Sequence, residues 1–453
     1  MPLAESTRQR VVVLGGGISG LTAARELATK GHAVTVLESG DRWGGLGTWF
    51  DWNGHSLDQF YHCQMPSDDD LLQLIRDIGL GDSLYWKPTR MGFVVGGKRY
   101  AFNGPMDLLR FDPLTFPERI RFGVVSLLLR RLGFGRDLDR TRIEDWLVSC
   151  YGRPVWEKIL RPLFTSKFGP AAGDMPALYI WERLGREKNT VSRGYLRGGL
   201  RTFLDTLVEN LRSLGVDLRL ETRAGTIRET GDGVEIDAGS ALIEADWCVS
   251  TLPLPVLRNC LGDTPLAQRI RTPDVPYQGV VNAMFFLRRP LDNYYWAPVV
   301  DSGTEFDGIV EMTELVETSH YGGHHVAYVM KYCDRSSPLF LEDPGQIAAR
   351  WTQQLLALYP DLNLQASDIA DVRVFKAPFV EPAYPLGYSE LKPLIHDGES
   401  RLFLATSAQV YPKITAWNSS VRLAKEVARR LLDHMETVPR TKRTARLPAT
   451  VQV

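Results

Sequence analysis

Hydrophobic positions 11–14 (Val-Val-Val-Leu) run without a polar break, the pattern of a parallel strand buried on both faces. The spacing then turns helical. Leu21, Ala24, Leu27 and Ala28 share one face, and Gly31 supplies the stop. "HAVTVLE" (32–38) returns to strand, so the first forty residues predict a βαβ unit. Further on, 68–80 reads as a helix with acids in its first turn, and 91–102 as a hairpin turning at Gly96-Gly97. Residues 105–190 read as helical, and 200–215 as a well-patterned amphipathic helix. Short strands are expected at 217–221, 224–228, 233–237 and 241–249, and a long β-rich section at 277–332. A strand at 401–406 and a helix at 416–435 follow.

Strand-loop-helix units near both ends of the sequence predict one α/β dinucleotide-binding domain assembled from discontinuous segments, 1–90, 195–270 and 395–436. Residues 91–194 and 271–394 then form an inserted mixed α+β domain for a substrate. Residues 437–453 lack apolar periodicity and read as a disordered tail. The segment 122–136, "FGVVSLLLRRLGFGR", is too short to span a bilayer. It reads as a core helix, with peripheral membrane contact as the alternative.

Composition narrows the function classes. A 453-residue chain with 44% hydrophobic and 24% charged residues is a folded protein of more than one core. The net charge of −1 gives no pull toward nucleic acid, and the tryptophans have no basic stripe beside them. Five scattered cysteines without CxxC spacing, and no apolar leader, suggest a reduced, cytoplasmic protein. "GFVVGGK" (92–98) resembles the start of a phosphate-binding loop, but Arg99 replaces the required hydroxyl residue. His320 and His324 have the spacing of a helical metal pair, but Gly322-Gly323 break a helix there, so no metal is expected.

The chemistry concentrates in the βαβ unit. Gly15, Gly17 and Gly20, with Ile18 and Ser19 among them, sit between strand and helix. Gly15 permits the turn, Gly17 lets backbone amides approach a pyrophosphate, and Gly20 lets helix and strand pack closely. Glu38, at the end of the second strand with Ser39 beside it, is placed to accept hydrogen bonds from ribose hydroxyls. An acid there disfavours a 2′-phosphate.

The continuation "DRWGGLG" (41–47), with Arg42, Gly44 and Gly45, resembles the flavin-containing amine oxidase, protoporphyrinogen oxidase and phytoene desaturase superfamily. The resemblance implies a Rossmann-like FAD-binding domain with non-covalent FAD, because neither cysteine nor histidine occupies the C-terminal junction where relatives attach flavin. It implies that Arg42 neutralises the pyrophosphate and that the glycines let the chain cross the flavin. "SLDQFYHCQ" (56–64) resembles the segment beneath the flavin ring, making Phe60, Tyr61 and His62 its neighbours. Ala224 stands where the family has a valine bonding adenine through its backbone, and Thr251 lies on the return strand. Thr406-Ser407 replace the family's glycine-acid pair, and Leu46 replaces a common basic residue. The helix beginning at Trp417 and Asn418 would aim its amides at the flavin.

No acid or base announces itself by sequence. Lys167 and Glu311 are the catalytic candidates, and Tyr328, Tyr332, Tyr384 and Tyr388 are candidate pocket walls, the first two more readily explained as core. Arg193 and Arg197, four apart before the Gly198-Gly199 pair, would suit a small anionic substrate. Three functions fit: an FAD-dependent oxidase, dehydrogenase or desaturase; a flavin-dependent sugar-nucleotide isomerase similar to UDP-galactopyranose mutase; and a non-enzymatic carrier of the GDP-dissociation-inhibitor kind.

Overall fold

The computed structural model describes residues 8–186, 192–239 and 241–437. Strand Arg10–Leu14 lies in the middle of a five-stranded sheet, between Ala33–Leu37 and Trp247–Ser250. Asp217–Arg219 and Leu402–Leu404 form its edges, and every pairing is parallel. The unbroken apolar run explains its central place. Val11 and Val13 enter one core with the helices Ile18–Thr29, Gly199–Ser213 and Trp417–Thr437, while Val12 and Leu14 enter a second core on the opposite face. A strand covered on both sides leaves no position for a polar side chain.

The expected strand 241–249 is two strands in two different sheets. Leu242–Ala245 closes an antiparallel three-stranded sheet, and Trp247–Ser250 joins the parallel one. Asp246 makes the switch: its backbone N–H donates to the Arg10 carbonyl, and its carboxylate accepts the Arg10 N–H at 2.8 Å.

The second large sheet has seven strands, in the order Ile369–Pro382, Tyr277–Leu287, His325–Cys333, Gly308–Glu311, Trp296–Val300, Gly92–Val95 and Lys98–Ala101. The last two form the expected hairpin. Alternation sorts its residues cleanly. Val281, Ala283, Phe285, Ile309, Ala327 and Val329 pack under helix Pro344–Leu358 with Trp351 and Leu355. Val280, Met284, Phe286, Val310, Tyr328 and Met330 face the other way, toward the 50–63 segment.

Residues 122–136 are core only along one edge, where Val125 and Leu129 join the main cluster. Helix Phe116–Leu132 buries only Val125 and Leu129, and most of its apolar side chains face outward. The final helix extends through Thr437, one residue into the expected tail, and the remainder of that tail lies outside the described residues.

Candidate functional site

The turn after the first strand is built as the glycine pattern requires. Gly15 takes φ +102°, and a Cβ on Gly20 would stand 1.9 Å from the Gly15 carbonyl oxygen. A Cβ on Gly17 would make only ordinary contacts, with Gly44 O and Gly45 Cα at 3.9 Å, and Gly17 bridges Gly44 as a short parallel pair. Gly44 (φ +117°) and Gly45 (φ +57°) are left-handed, which favours glycine, and the Gly44 N–H donates to Gly16 O at 2.9 Å. The paired glycines of "WGGLG" thus serve a close approach of two backbones at the fingerprint turn.

Glu38 ends the second strand and accepts the Gly16 and Gly40 N–H groups, each at 2.7 Å, with Ser39 Oγ at 3.2 Å. Its backbone carbonyl receives the Thr222 N–H, so the chain leading to Ala224 runs beside it. Thr251 braces the same turn, with both its N–H and its Oγ1 donating to Leu14 O. Arg42 stacks 5.5 Å from the Trp49 ring centre and pairs at 3.6 Å with Asp51, so part of its charge is already engaged. A crevice of about 430 Å³ runs between Glu38, Gly40, Arg42, Gly45, Thr48 and Gln59.

A second group forms where the 60–62 segment meets the final helix. The Trp417 ring lies on Gly47, where a Cβ would come within 1.9 Å, and faces His62 at 5.1 Å and Phe203 at 5.3 Å. His62 Nδ1 is 2.8 Å from Phe60 O, and burial pushes its pKa below the ordinary value, favouring the neutral ring. Asn418 Oδ1 accepts the Leu71 N–H at 3.0 Å, which leaves its Nδ2 and the backbone amides of that helix start as donors for a ligand. Thr406, fully buried, donates its N–H to Gln409.

Asp58 locks this segment in place. Its two oxygens accept the Leu200 N–H at 3.0 Å and the Tyr195 hydroxyl at 2.9 Å, while its backbone carbonyl accepts the Tyr328 hydroxyl at 2.8 Å. Burial raises its pKa to about 6. Gly199 must be glycine here, because a Cβ would meet Asp58 Oδ1 at 3.1 Å and Tyr195 Oη at 3.0 Å in a left-handed conformation. Asn282, from the seven-stranded sheet, donates to Gln59 O at 2.8 Å. Residues 58–62 are therefore clamped between the seven-stranded sheet on one side and strand Ser192–Leu196 with the start of helix Gly199–Ser213 on the other.

Beyond Tyr61 the surroundings of this segment are side-chain chemistry. Tyr61 and Tyr332 lie against one another, and burial raises the pKa of both hydroxyls. Lys167 Nζ is 5.9 Å from the Tyr332 ring centre and 3.5 Å from buried Glu381, whose other oxygen accepts the Tyr179 hydroxyl at 2.5 Å. Tyr384 and Tyr388 are fully buried and continue from Tyr179 as a tyrosine cluster with Tyr411. Tyr328 is core, as expected, and its hydroxyl also holds the Asp58 segment.

Two predictions need correction. Glu311 shares the face of Ile309 and Ala327, away from Tyr328, and accepts the Leu291 and Asp292 N–H groups at 2.9 and 2.8 Å. Strand alternation turns it from the pocket, and burial lifts its pKa to about 8. Arg193 and Arg197 do not form one clamp. Arg193 is buried against Thr89 and the Tyr295 ring, whereas Arg197 stacks on Tyr85. Residues 187–191 of that basic segment lie outside the described residues.

Glu381, Tyr179 and Asp58 were missed as site residues. Glu381 left one signal, a lone acid in the otherwise apolar run "APFVEPAY".

The crevice fits a dinucleotide. Each Glu38 oxygen retains accepting capacity beyond its amide bonds, Gly17 presents open backbone, and the start of the final helix offers unspent N–H groups. Residues 18–432 match the model of the flavin-containing amine oxidoreductase family. The chain is 26% identical over 319 residues to 15-cis-phytoene desaturase of Arabidopsis thaliana, covering 63% of this chain and 55% of that protein. It is 33% identical over 183 residues to rice chloroplastic protoporphyrinogen oxidase, covering 39% of this chain and 33% of that one. It thus spans only a little over half of the desaturase. The structure of reduced UDP-galactopyranose mutase superposes with a TM-score of 0.74 at 16% identity, over 94% of this chain and 96% of that one.

Proposed function

Because this chain belongs to the flavin-containing amine oxidoreductase family, with FAD as its cofactor, we propose that it oxidises a small organic substrate in the manner of an oxidase, dehydrogenase or desaturase. The observation that carries the reading is the clamped 58–62 segment, which joins the Glu38 crevice to the tyrosine-lined wall of the second sheet. Bound flavin supplies a hydride acceptor at N5. This chain's own residues supply the rest. Glu38 would hold the ribose, the Gly15–Gly20 turn and the final helix start would hold anionic oxygens, and Asp58, Asn282 and Tyr328 fix the floor.

Lys167 pairs with buried Glu381 at 3.5 Å, Arg183 also acts on Tyr332, and Arg193 lies against Tyr295. A substrate bearing a carboxylate or phosphate suits that balance. Arg193→Met should then raise KM while leaving the bound-flavin spectrum unchanged; a cationic amine as best substrate would sink the anionic part.

The central test is optical. The purified protein should be yellow, release its flavin on acid denaturation, and bleach anaerobically with the true substrate. A colourless protein that cannot be reconstituted with FAD ends the reading. Turnover without net electron transfer would instead favour isomerisation.

A further inference from the structure

Nine of the sixteen exposed large hydrophobic residues among the described residues fall between Met106 and Phe134. Phe116, Ile120, Val124, Leu127 and Leu128 recur at helical spacing along the outer face of Phe116–Leu132, with Leu127 85% exposed and Phe116 63% exposed. Met106 and Leu109 precede this stripe, and Leu132 and Phe134 follow it. A surface helix ordinarily turns charges outward; this one turns apolar side chains outward on a helix that is well anchored from behind. The Trp181 indole N–H donates to Arg130 O at 2.8 Å, the Arg130 guanidinium stacks on Trp181, and the Thr115–Glu118 capping box closes the start.

The charges beside the stripe are unequal. Most of its acids are paired, Glu118 with Lys158 at 2.9 Å, Asp137 with Arg140 at 3.7 Å and Asp112 with Lys98 at 4.0 Å, while Asp107 accepts the Asn103 N–H at 2.9 Å and keeps its charge. Arg110, Arg131 and Arg136 have no side-chain partner among the described residues. An apolar face bordered by unneutralised guanidinium groups matches a bilayer surface, with acyl chains for the leucines and anionic headgroups for the arginines. No helix of the described residues is long and apolar enough to cross a membrane, so the element would lie on the surface. We infer that the Met106–Arg136 face docks this protein onto anionic phospholipid membranes.

The test uses the full FAD-loaded chain and sedimentation with vesicles. The protein should pellet with mixed phosphatidylcholine–phosphatidylglycerol vesicles, and less with phosphatidylcholine alone or in high salt. Ile120→Glu with Leu127→Glu should weaken partitioning at least about ten-fold. Replacing Arg110, Arg131 and Arg136 with Gln should weaken it about five-fold per arginine on the mixed vesicles only. An unchanged flavin spectrum and melting temperature certify that the variants are folded, since all five side chains are outside the core. Wild type that stays in solution with the mixed vesicles overturns the proposal, as does a double Glu variant that binds as well as wild type. A wild-type dimer dispersed by Leu127→Glu, without vesicle binding, would assign the face to a second copy instead.

Discussion

The parallel sheet that carries Glu38 and the seven-stranded sheet that carries Glu381 each present an acid to the candidate site, but they recognise by different means. At Glu38 the contacts are mostly backbone: Gly16 and Gly40 amides, the Gly17–Gly44 approach, a helix start. At Glu381 they are side chains, Lys167 and Tyr179, brought in from a helical region two hundred residues away in sequence. Backbone recognition demands glycine at fixed spacing, so it is written locally. Side-chain recognition leaves the choice of residue, and of the chain segment supplying it, almost free.

Substitutions at four positions would break or sharpen that contrast. Gly20→Ala has the largest expected effect, because its Cβ would collide with the Gly15 carbonyl; a loss of about 3 kcal/mol or more and flavin-free protein should follow. A well-folded yellow Gly20→Ala variant would show that the turn is not backbone-limited.

Next comes Asp58, which ties the two regions together. Asp58→Ala strands the Leu200 N–H and Tyr195 hydroxyl in the core and should cost about 2–3 kcal/mol. Asp58→Asn can satisfy both. The carboxyl pKa rises from 3.8 unfolded to about 6 folded, so the fold favours the protonated form. Wild-type stability is therefore fullest below about pH 4 and declines as pH rises toward 6, by at most about 3 kcal/mol. Denaturant melts of Asp58→Asn should lack that decline; an identical pH profile would remove Asp58 from the account.

Glu38→Ala should weaken FAD binding about ten- to a hundred-fold, from charge-assisted bonds worth about 1.5–3 kcal/mol. Fluorescence titration of the apoprotein measures it, and unchanged affinity would mean the ribose lies elsewhere. Smallest of all, Glu311→Gln should alter kcat by less than about two-fold, since the residue faces away from the site. A large loss of turnover would restore Glu311 as a catalytic residue.

The same distinction governs what the sequence disclosed. Gly15, Gly20, Gly44 and Gly198-Gly199 were readable because each conformation or close approach excludes a side chain. The central strand was readable because a doubly covered strand has no polar position. Glu311 misled because a lone acid in an apolar strand does not say which face of the sheet it occupies. Glu381 carries the same kind of signal and does face the site. Register decides between them, and register comes from pairing with strands far away in the chain. Helix Phe116–Leu132 misled for a related reason: apolar periodicity reports a face that avoids water, whether protein or another medium covers it.

The order of strands in the parallel sheet has a consequence for how the protein is made. Arg10–Leu14 emerges from the ribosome early, yet its neighbour Trp247–Ser250 follows more than two hundred residues later, and that strand's own outer partner, Leu402–Leu404, later still. The seven-stranded sheet is likewise incomplete until Ile369–Pro382 arrives, and its strands interrupt those of the first sheet in the chain. Neither sheet can finish as an independent unit during synthesis. A nascent chain ending before residue 402 leaves Trp247–Ser250 as an open edge and its apolar faces without the final helix, so the early segments must wait, exposed, for nearly the whole polypeptide.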